Sequence, residues 1–135
     1  MGLLEYGVKV GLSSTIETIV EEKDLAVSYG SGSVRVLATP AMISLMEKAA
    51  MSAVELHLPG DKATVGTQIA VTHIKATPVG MRVRVYAELV KIEDRKLSFK
   101  VEAYDELEKI GEGTHERYII DVNKFMERCK SKLKK

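Results

Sequence analysis

Two kinds of hydrophobic pattern divide this chain. Residues 40–57 are apolar at nearly every position outside one narrow polar arc, which predicts a helix that is wrapped on most sides. Elsewhere apolar and polar residues alternate, a period of two that is typical of antiparallel strands with one buried face. Strands are predicted at 14–20, 62–76, 81–93, 96–105 and 108–121.

The boundaries between these elements predict how they connect. Pro78-Val79-Gly80 and Glu93-Asp94-Arg95 are too short for crossover helices, so they indicate hairpins. Thr39 suits the N-cap of the helix, and Pro40 suits its first turn. Residues 28–34, rich in Gly and Ser, are predicted to form a mobile lid, and residues 122–135 a basic helix or tail.

This order of elements predicts an α+β fold, in which one antiparallel sheet curls around one central helix. The 135 residues suit a single domain, 1–135. A sheet of this kind leaves an open edge strand, so we expect a homodimer, with a tetramer built from such dimers also compatible.

Composition mainly excludes classes of protein. A net charge of +1 gives no electrostatic case for nucleic acid or an anionic membrane. No apolar run approaches the ~20 residues of a membrane span, and the N-terminus does not resemble a secretory signal, so we expect a cytoplasmic protein. The single Cys129 and the lack of a ligand trio predict no metal site, and no cofactor is implied. Scarce Asn and Gln beside many Lys and Glu suggest a hot environment.

Two residues stand out against the apolar pattern. Glu47 lies inside the apolar arc of the helix, so it either reaches water at the helix edge or faces a pocket as a functional carboxylate. His73 lies in the second predicted strand, on the same face as other odd-numbered residues, and is either a satisfied semi-buried histidine or a partner of Glu47. His57 and His115 are isolated and are expected at the surface or at helix ends. Gly66 is consistent with a bulge or bend.

The segments ATPAMISLMEKAA and VGTQIAVTHIKATPVG resemble the fluoroacetyl-CoA thioesterase family of the hotdog superfamily. The resemblance implies a hotdog fold, an acyl-CoA substrate and a catalytic set of Thr39, Glu47 and His73. It also implies that Gly66 lies beside the thioester. Glu47 could be base or nucleophile, His73 could orient or protonate, and Thr39 could hydrogen-bond or attack.

The chain departs from this family just before Thr39. The family has bulky aromatic residues there, whereas this chain has Tyr29-Gly30-Ser31-Gly32-Ser33-Val34. Selectivity for a fluorinated acyl group is therefore not expected, and Gly30 and Ser33 become candidate substrate contacts. The prediction is a thioesterase for a short or unidentified acyl-CoA. The alternative is a non-catalytic module that binds acyl-CoA or another apolar ligand.

Overall fold

The computed structural model describes residues 7–134, so residues 1–6 and 135 of the predicted domain lie outside the described part. One antiparallel sheet has the strand order β1-β3-β4-β5-β2. Its strands are β1 (Ser13–Ile19), β2 (Lys62–His73), β3 (Arg82–Glu93), β4 (Lys96–Tyr104) and β5 (Lys109–Asp121). The helices are α1 (Ala26–Tyr29), α2 (Thr39–Glu55) and α3 (Val122–Lys130), with 3₁₀ turns at Glu22–Asp24 and Ser131–Leu133.

The core lies between α2 and one face of the sheet. The alternating residues predicted to be buried on β3 and β4 are inaccessible to solvent, from Val83 to Leu89 and from Leu97 to Ala103. Met42, Met46 and Ala49 of α2 are equally buried. The α+β hotdog arrangement expected from the sequence, a sheet packed around one long helix, is therefore confirmed.

The start of α2 differs from the prediction. Thr39 is already helical, and the N-cap position belongs to Ala38, whose side chain makes no cap. The prediction that Thr39 caps the helix is therefore wrong, because its hydroxyl is used outside the helix. The segment before α2 also has more structure than expected, because it contains the short helix α1. This helix ends at Gly30, which has a left-handed conformation (φ 72°). That conformation is one that glycine adopts without strain.

A bulge in β2 determines which of its residues face the helix. The pairing of β2 with β5 shifts register between Gly66 and Gln68, so Thr67 is an extra residue in the strand. Before the bulge the even-numbered residue Gly66 pairs with buried Arg117, and after it the odd-numbered His73 pairs with buried Gly111. Directly paired residues share a face, so Gly66 and His73 both face α2. The expectation that all odd-numbered residues of this strand share the face of His73 is therefore wrong for those before the bulge.

The two edges of the sheet are β1 and β2. Within residues 7–134, no helix is both long and apolar enough to cross a membrane. The same residues contain no cluster of three or more His, Cys, Asp or Glu that could hold a metal ion.

Candidate active site

The first feature of the site is a hydrogen bond between Thr39 and His73. The Thr39 Oγ1 atom lies 2.7 Å from His73 Nδ1. Thr39 opens α2, and His73 is the last residue of β2, so the contact joins the beginning of the helix to the end of the strand. A hydroxyl within hydrogen-bond reach of an imidazole is the arrangement that activates a hydroxyl nucleophile.

The second nitrogen of the His73 ring has no hydrogen-bond partner among the described residues. This atom, Nε2, is buried. Burial lowers the pKa of His73 below its ordinary value, which keeps the ring neutral and able to accept a proton. If Nδ1 accepts from Thr39, then Nε2 carries the proton and requires an acceptor, because a buried unpaired N–H is costly.

A pocket of about 320 Å³ opens beside this pair. Besides Thr39 and His73, its walls include Ser31, Gly32, Val34, Val36 and Ile74. None of the residues in the pocket walls is Phe, Tyr or Trp. Gly30 and Ser33 belong to the same loop but are not among its walls, so their contact with substrate stays a prediction.

The second feature is a polar cluster around Gly66. A Cβ atom at Gly66 would lie 3.2 Å from Glu47 Oε2, 3.2 Å from His115 Cε1 and 3.5 Å from Arg117 Nη1. Glu47 is half-buried, and its α2 position next to β2 explains why a carboxylate interrupts the apolar arc. The absence of a side chain at Gly66 therefore keeps a space open in front of a carboxylate, an imidazole and a guanidinium.

Arg117 is fixed in this cluster by three hydrogen bonds. Its Nε donates to Thr64 Oγ1 at 2.8 Å, its Nη2 to the Thr64 carbonyl at 3.0 Å, and its Nη1 approaches His115 Nε2 at 3.2 Å. Glu55 in turn accepts from the Thr64 hydroxyl and amide. Burial lowers the pKa of Arg117, while the carboxylates of Glu47 and Glu55 oppose that shift. A positive charge is thus held next to Glu47 in a largely dry environment.

His115 completes the cluster, and its predicted position at the surface is wrong. It is fully buried, and its Nδ1 lies 2.7 Å from the Gln68 carbonyl, directly after the bulge. Nδ1–H therefore donates to that carbonyl, and Nε2 accepts from Arg117. Burial, followed by the neighbouring Arg117, accounts for a lowered pKa, so the ring is neutral. His57, by contrast, is exposed as expected.

Within one chain, these two features do not meet. Thr39 and Glu47 are eight residues apart on α2, which corresponds to about 12 Å along the axis. Gly66 and His73 are seven residues apart on β2, and His73 is its last residue, so the two lie about 20 Å apart. The structure therefore brings Thr39 to His73 and Glu47 to Gly66. It also adds His115 and Arg117, which the sequence analysis had not assigned to the site.

Comparison with known proteins places this geometry in a family. Residues 20–123 match the family model described as fluoroacetyl-CoA-specific thioesterase. A fluoroacetyl-CoA thioesterase from Streptantibioticus cattleyicolor is 44% identical over 97 residues, which are 72% of this chain and 70% of the relative. A solved structure of a fluoroacetyl-CoA thioesterase is 37% identical, with a TM-score of 0.88 over 93% of this chain and 98% of the other. A hot-dog-like protein from Thermanaerovibrio acidaminovorans, 18% identical, has a TM-score of 0.88 over 98% of this chain and 97% of its own, which supports the fold.

The fold and the family match together define a hotdog thioesterase, an enzyme that hydrolyses acyl-CoA thioesters. Within that class, the chain belongs to the fluoroacetyl-CoA-specific thioesterase family. The resemblance stated from the sequence is thereby confirmed.

Proposed function

We propose that this enzyme hydrolyses short aliphatic acyl-CoA thioesters, with Thr39 as nucleophile and His73 as its general base. The observation that carries the proposal is the 2.7 Å contact between Thr39 Oγ1 and His73 Nδ1. A module that only binds acyl-CoA would not need this pair. The sequence left open whether Thr39, Glu47 or water attacks the thioester, and the contact between Thr39 and His73 favours attack by the threonine hydroxyl.

The proposed reaction has two stages. Thr39 Oγ1 bonds to the thioester carbonyl carbon while His73 Nδ1 takes the hydroxyl proton. The C–S bond then breaks, His73 returns the proton to the CoA sulfur, and an acyl-threonine remains. Water hydrolyses that ester with His73 again acting as base, releasing the free acid.

A homodimer completes this site in the proposal. β2 is an edge strand, and its free edge can pair with β2 of a second copy. Antiparallel pairing centred between Ile69 and Ala70 would set Gly66 of one copy opposite His73 of the other. Glu47 of the second copy would then be available to accept the His73 Nε2–H, the atom without a partner in one chain. Backbone N–H groups at the bulge would be available to the oxyanion.

The acyl specificity proposed here follows from the pocket walls. Val34, Val36 and Ile74 offer aliphatic contact but no ring, so a short alkyl chain would fit without selection for fluorine. A cytoplasmic location and an origin in a hot environment remain predictions from the sequence.

The experiment is a thiol-release assay with acetyl-, fluoroacetyl-, butyryl- and hexanoyl-CoA. We expect turnover of acetyl- and butyryl-CoA, and a loss of at least about a hundredfold in both Thr39→Val and His73→Ala. His57→Ala is the matched control, since His57 is exposed and remote from the pair. Full activity in His73→Ala, or no thiol release from any substrate, would overturn the proposal. Turnover of fluoroacetyl-CoA alone would overturn the acyl specificity.

A further inference from the structure

The helix α3 (Val122–Lys130) and the 3₁₀ turn that follows it (Ser131–Leu133) lie on the surface of the protein, after β5. None of their residues is buried. Phe125 and Met126 are 38% and 40% exposed, and Leu133 is 84% exposed. Nothing in the hydrolysis described above uses this segment.

The apolar residues of this segment share one face. Val122, Phe125, Met126 and Cys129 fall within an arc of about 100° on a helical wheel. Leu133 continues the same row in the 3₁₀ turn. These five residues are called the apolar stripe. Exposed apolar side chains that lie together mark an interaction surface.

The positive charge of the chain is concentrated on the same segment. Residues 122–135 carry six Lys or Arg and one Glu, a net charge of +5, whereas the whole chain has +1. The rest of the chain is therefore acidic, with a net charge of −4. The near-neutral total gave no electrostatic case for an anionic membrane because it averages over these two oppositely charged parts.

Cations flank the apolar stripe and are available to an anionic surface. On the helical wheel Lys130 lies on one side of the stripe and Arg128 on the other. Among residues 7–134, no Asp or Glu forms an ion pair with a Lys or Arg of the segment 122–134. An amphipathic helix with Lys and Arg on its polar face and Phe or Leu on the other is typical of helices that lie in the plane of a lipid headgroup layer.

Two other occupants of the apolar stripe agree less well with these observations. The dimer proposed above pairs the free edge of β2, whereas α3 continues from β5, which lies on the other side of β2. The stripe is therefore not part of that strand pairing. A purely acidic polymer would pair with the cations but would leave the stripe exposed to water.

We propose that α3 and the turn after it bind the surface of bilayers that contain anionic lipids. The apolar stripe enters the boundary between headgroups and acyl chains, while Arg128, Lys130 and Lys132 stay at the level of the lipid phosphates. One short helix gives weak and reversible binding, which should weaken further as salt screens the headgroup charge. This role is independent of the proposed hydrolysis.

The test is co-sedimentation with vesicles of phosphatidylcholine, alone or with about a third of phosphatidylserine. We expect the wild type to bind only the anionic vesicles. Met126→Ser/Leu133→Ser removes apolar contact and Lys130→Glu/Lys132→Glu reverses the flanking charge, so each double variant should bind at least about tenfold more weakly. The Tm should stay unchanged, because all four side chains are exposed. Leu107→Ser is the control, since Leu107 is 81% exposed and precedes β5, whereas α3 follows it.

Cys129 gives a separate readout of insertion. It is the one cysteine of the sequence, it is exposed, and it belongs to the apolar stripe. An environment-sensitive fluorophore attached to it should emit at shorter wavelength when anionic vesicles are added. The same label in Cys129→Ser/Leu107→Cys should not respond.

Four results would contradict the proposal. No binding of the wild type to anionic vesicles, or wild-type binding by both double variants, would overturn it. Vesicle binding without a fluorescence shift at Cys129 would mean that only the charges touch the surface and would overturn insertion of the stripe. An equal shift with polyglutamate would overturn a lipid as the occupant. If the wild type ignores vesicles and Met126→Ser/Leu133→Ser sediments as a smaller species, a second copy covers the stripe.

Discussion

The pairing of residues explains the chemistry better than their individual types do. Thr39 is a poor nucleophile alone, and His73 alone is an ordinary strand residue, but their 2.7 Å contact gives each a partner. Glu47 likewise has a partner in Arg117, a buried cation that interacts electrostatically with the Glu47 carboxylate. At this scale, the proposed site consists of a hydroxyl–imidazole pair and a charged cluster.

His73 should determine the acid side of the pH profile. Burial lowers its pKa below the ordinary 6.5, so the ring loses its proton at a lower pH than a free imidazole does. As a base, His73 must be neutral, so burial alone predicts that activity persists below pH 6.5 before it falls. The proposed contact with Glu47 of the second copy acts in the opposite direction, because a carboxylate raises the pKa of an imidazole beside it. Measurement of kcat/KM between pH 4.5 and 8 shows which effect is larger, and a profile with no fall on the acid side would be evidence against His73 as the base.

Glu47→Gln keeps the shape of the side chain and removes its charge. We expect hydrolysis to fall by at least about a hundredfold, because the His73 Nε2–H loses its proposed charged acceptor. From the sequence alone, losing a desolvated charge should maintain or raise the Tm. The structure predicts a small decrease instead, since buried Arg117 loses a nearby negative charge. Hydrolysis at the wild-type rate would exclude Glu47 from the reaction.

At the scale of elements, alternation predicted some strands well and others poorly. In β3 and β4 one face is consistently apolar, so the buried residues Val83 to Leu89 and Leu97 to Ala103 could be assigned from the sequence. In β2 both faces are largely apolar. The extra residue Thr67 reverses the alternation midway along the strand, so even-numbered residues face α2 before it and odd-numbered residues face α2 after it. A pattern of period two contains no signal for such a bulge, so the shared orientation of Gly66 and His73 could not be predicted.

β5 shows a second limit of sequence reasoning. His115 and Arg117 alternate with Glu116 and Tyr118, so polar residues occupy both faces of the strand. Their burial depends on contacts from β2, the Thr64 oxygens for Arg117 and the Gln68 carbonyl for His115. Ile119 is odd-numbered like His115 and Arg117, and an apolar residue there indicates that this face of the strand is buried. The indication is weak as long as the strand that pairs with β5 is unknown.

A hydrogen-bonded connection runs from the turn after β4 to the segment just before Thr39. Asp105 accepts from the Thr77 hydroxyl at 3.0 Å and from the Leu107 and Glu108 amides at 2.8 and 3.0 Å. The Thr77 carbonyl accepts from the Leu37 amide at 2.9 Å, two residues before Thr39. Thr77 is completely buried, so this connection is shielded from water.

Asp105→Ala should therefore affect catalysis as well as stability. We expect a loss of about 2 kcal/mol in the free energy of unfolding, because the buried Thr77 hydroxyl and two partly buried amides lose their acceptor. We also expect a fall in kcat that exceeds any change in KM. Asp105→Asn should restore most of the free energy of unfolding and most of kcat. Glu108→Ala is the control, since Glu108 is an exposed residue of the same turn. Lost stability with an unchanged kcat would show that the turn does not position Thr39.

At the scale of the whole molecule, the separation of the two half-sites predicts a composite active site. Thr39 with His73 and Glu47 with Gly66 lie apart within one chain, while β2 has a free edge that can pair with a second copy. Each proposed site then uses the hydroxyl and imidazole of one copy and the carboxylate of the other. Sedimentation should show a dimer rather than the 14.9 kDa monomer.

Mixing two inactive variants tests the composite site directly. Thr39→Val and Glu47→Gln should each be inactive as homodimers, but a mixed dimer contains one site that joins an intact Thr39 and His73 to an intact Glu47. Co-refolding equal amounts makes about half of the dimers mixed, each with one of its two sites intact, so about a quarter of the wild-type activity should return. Thr39→Val mixed with His73→Ala is the control, because these residues belong to the same half-site and no intact site can form. No recovery in the first mixture, once mixed dimers are verified by mass spectrometry, would mean that each chain works alone and that the edge of β2 does not complete the site.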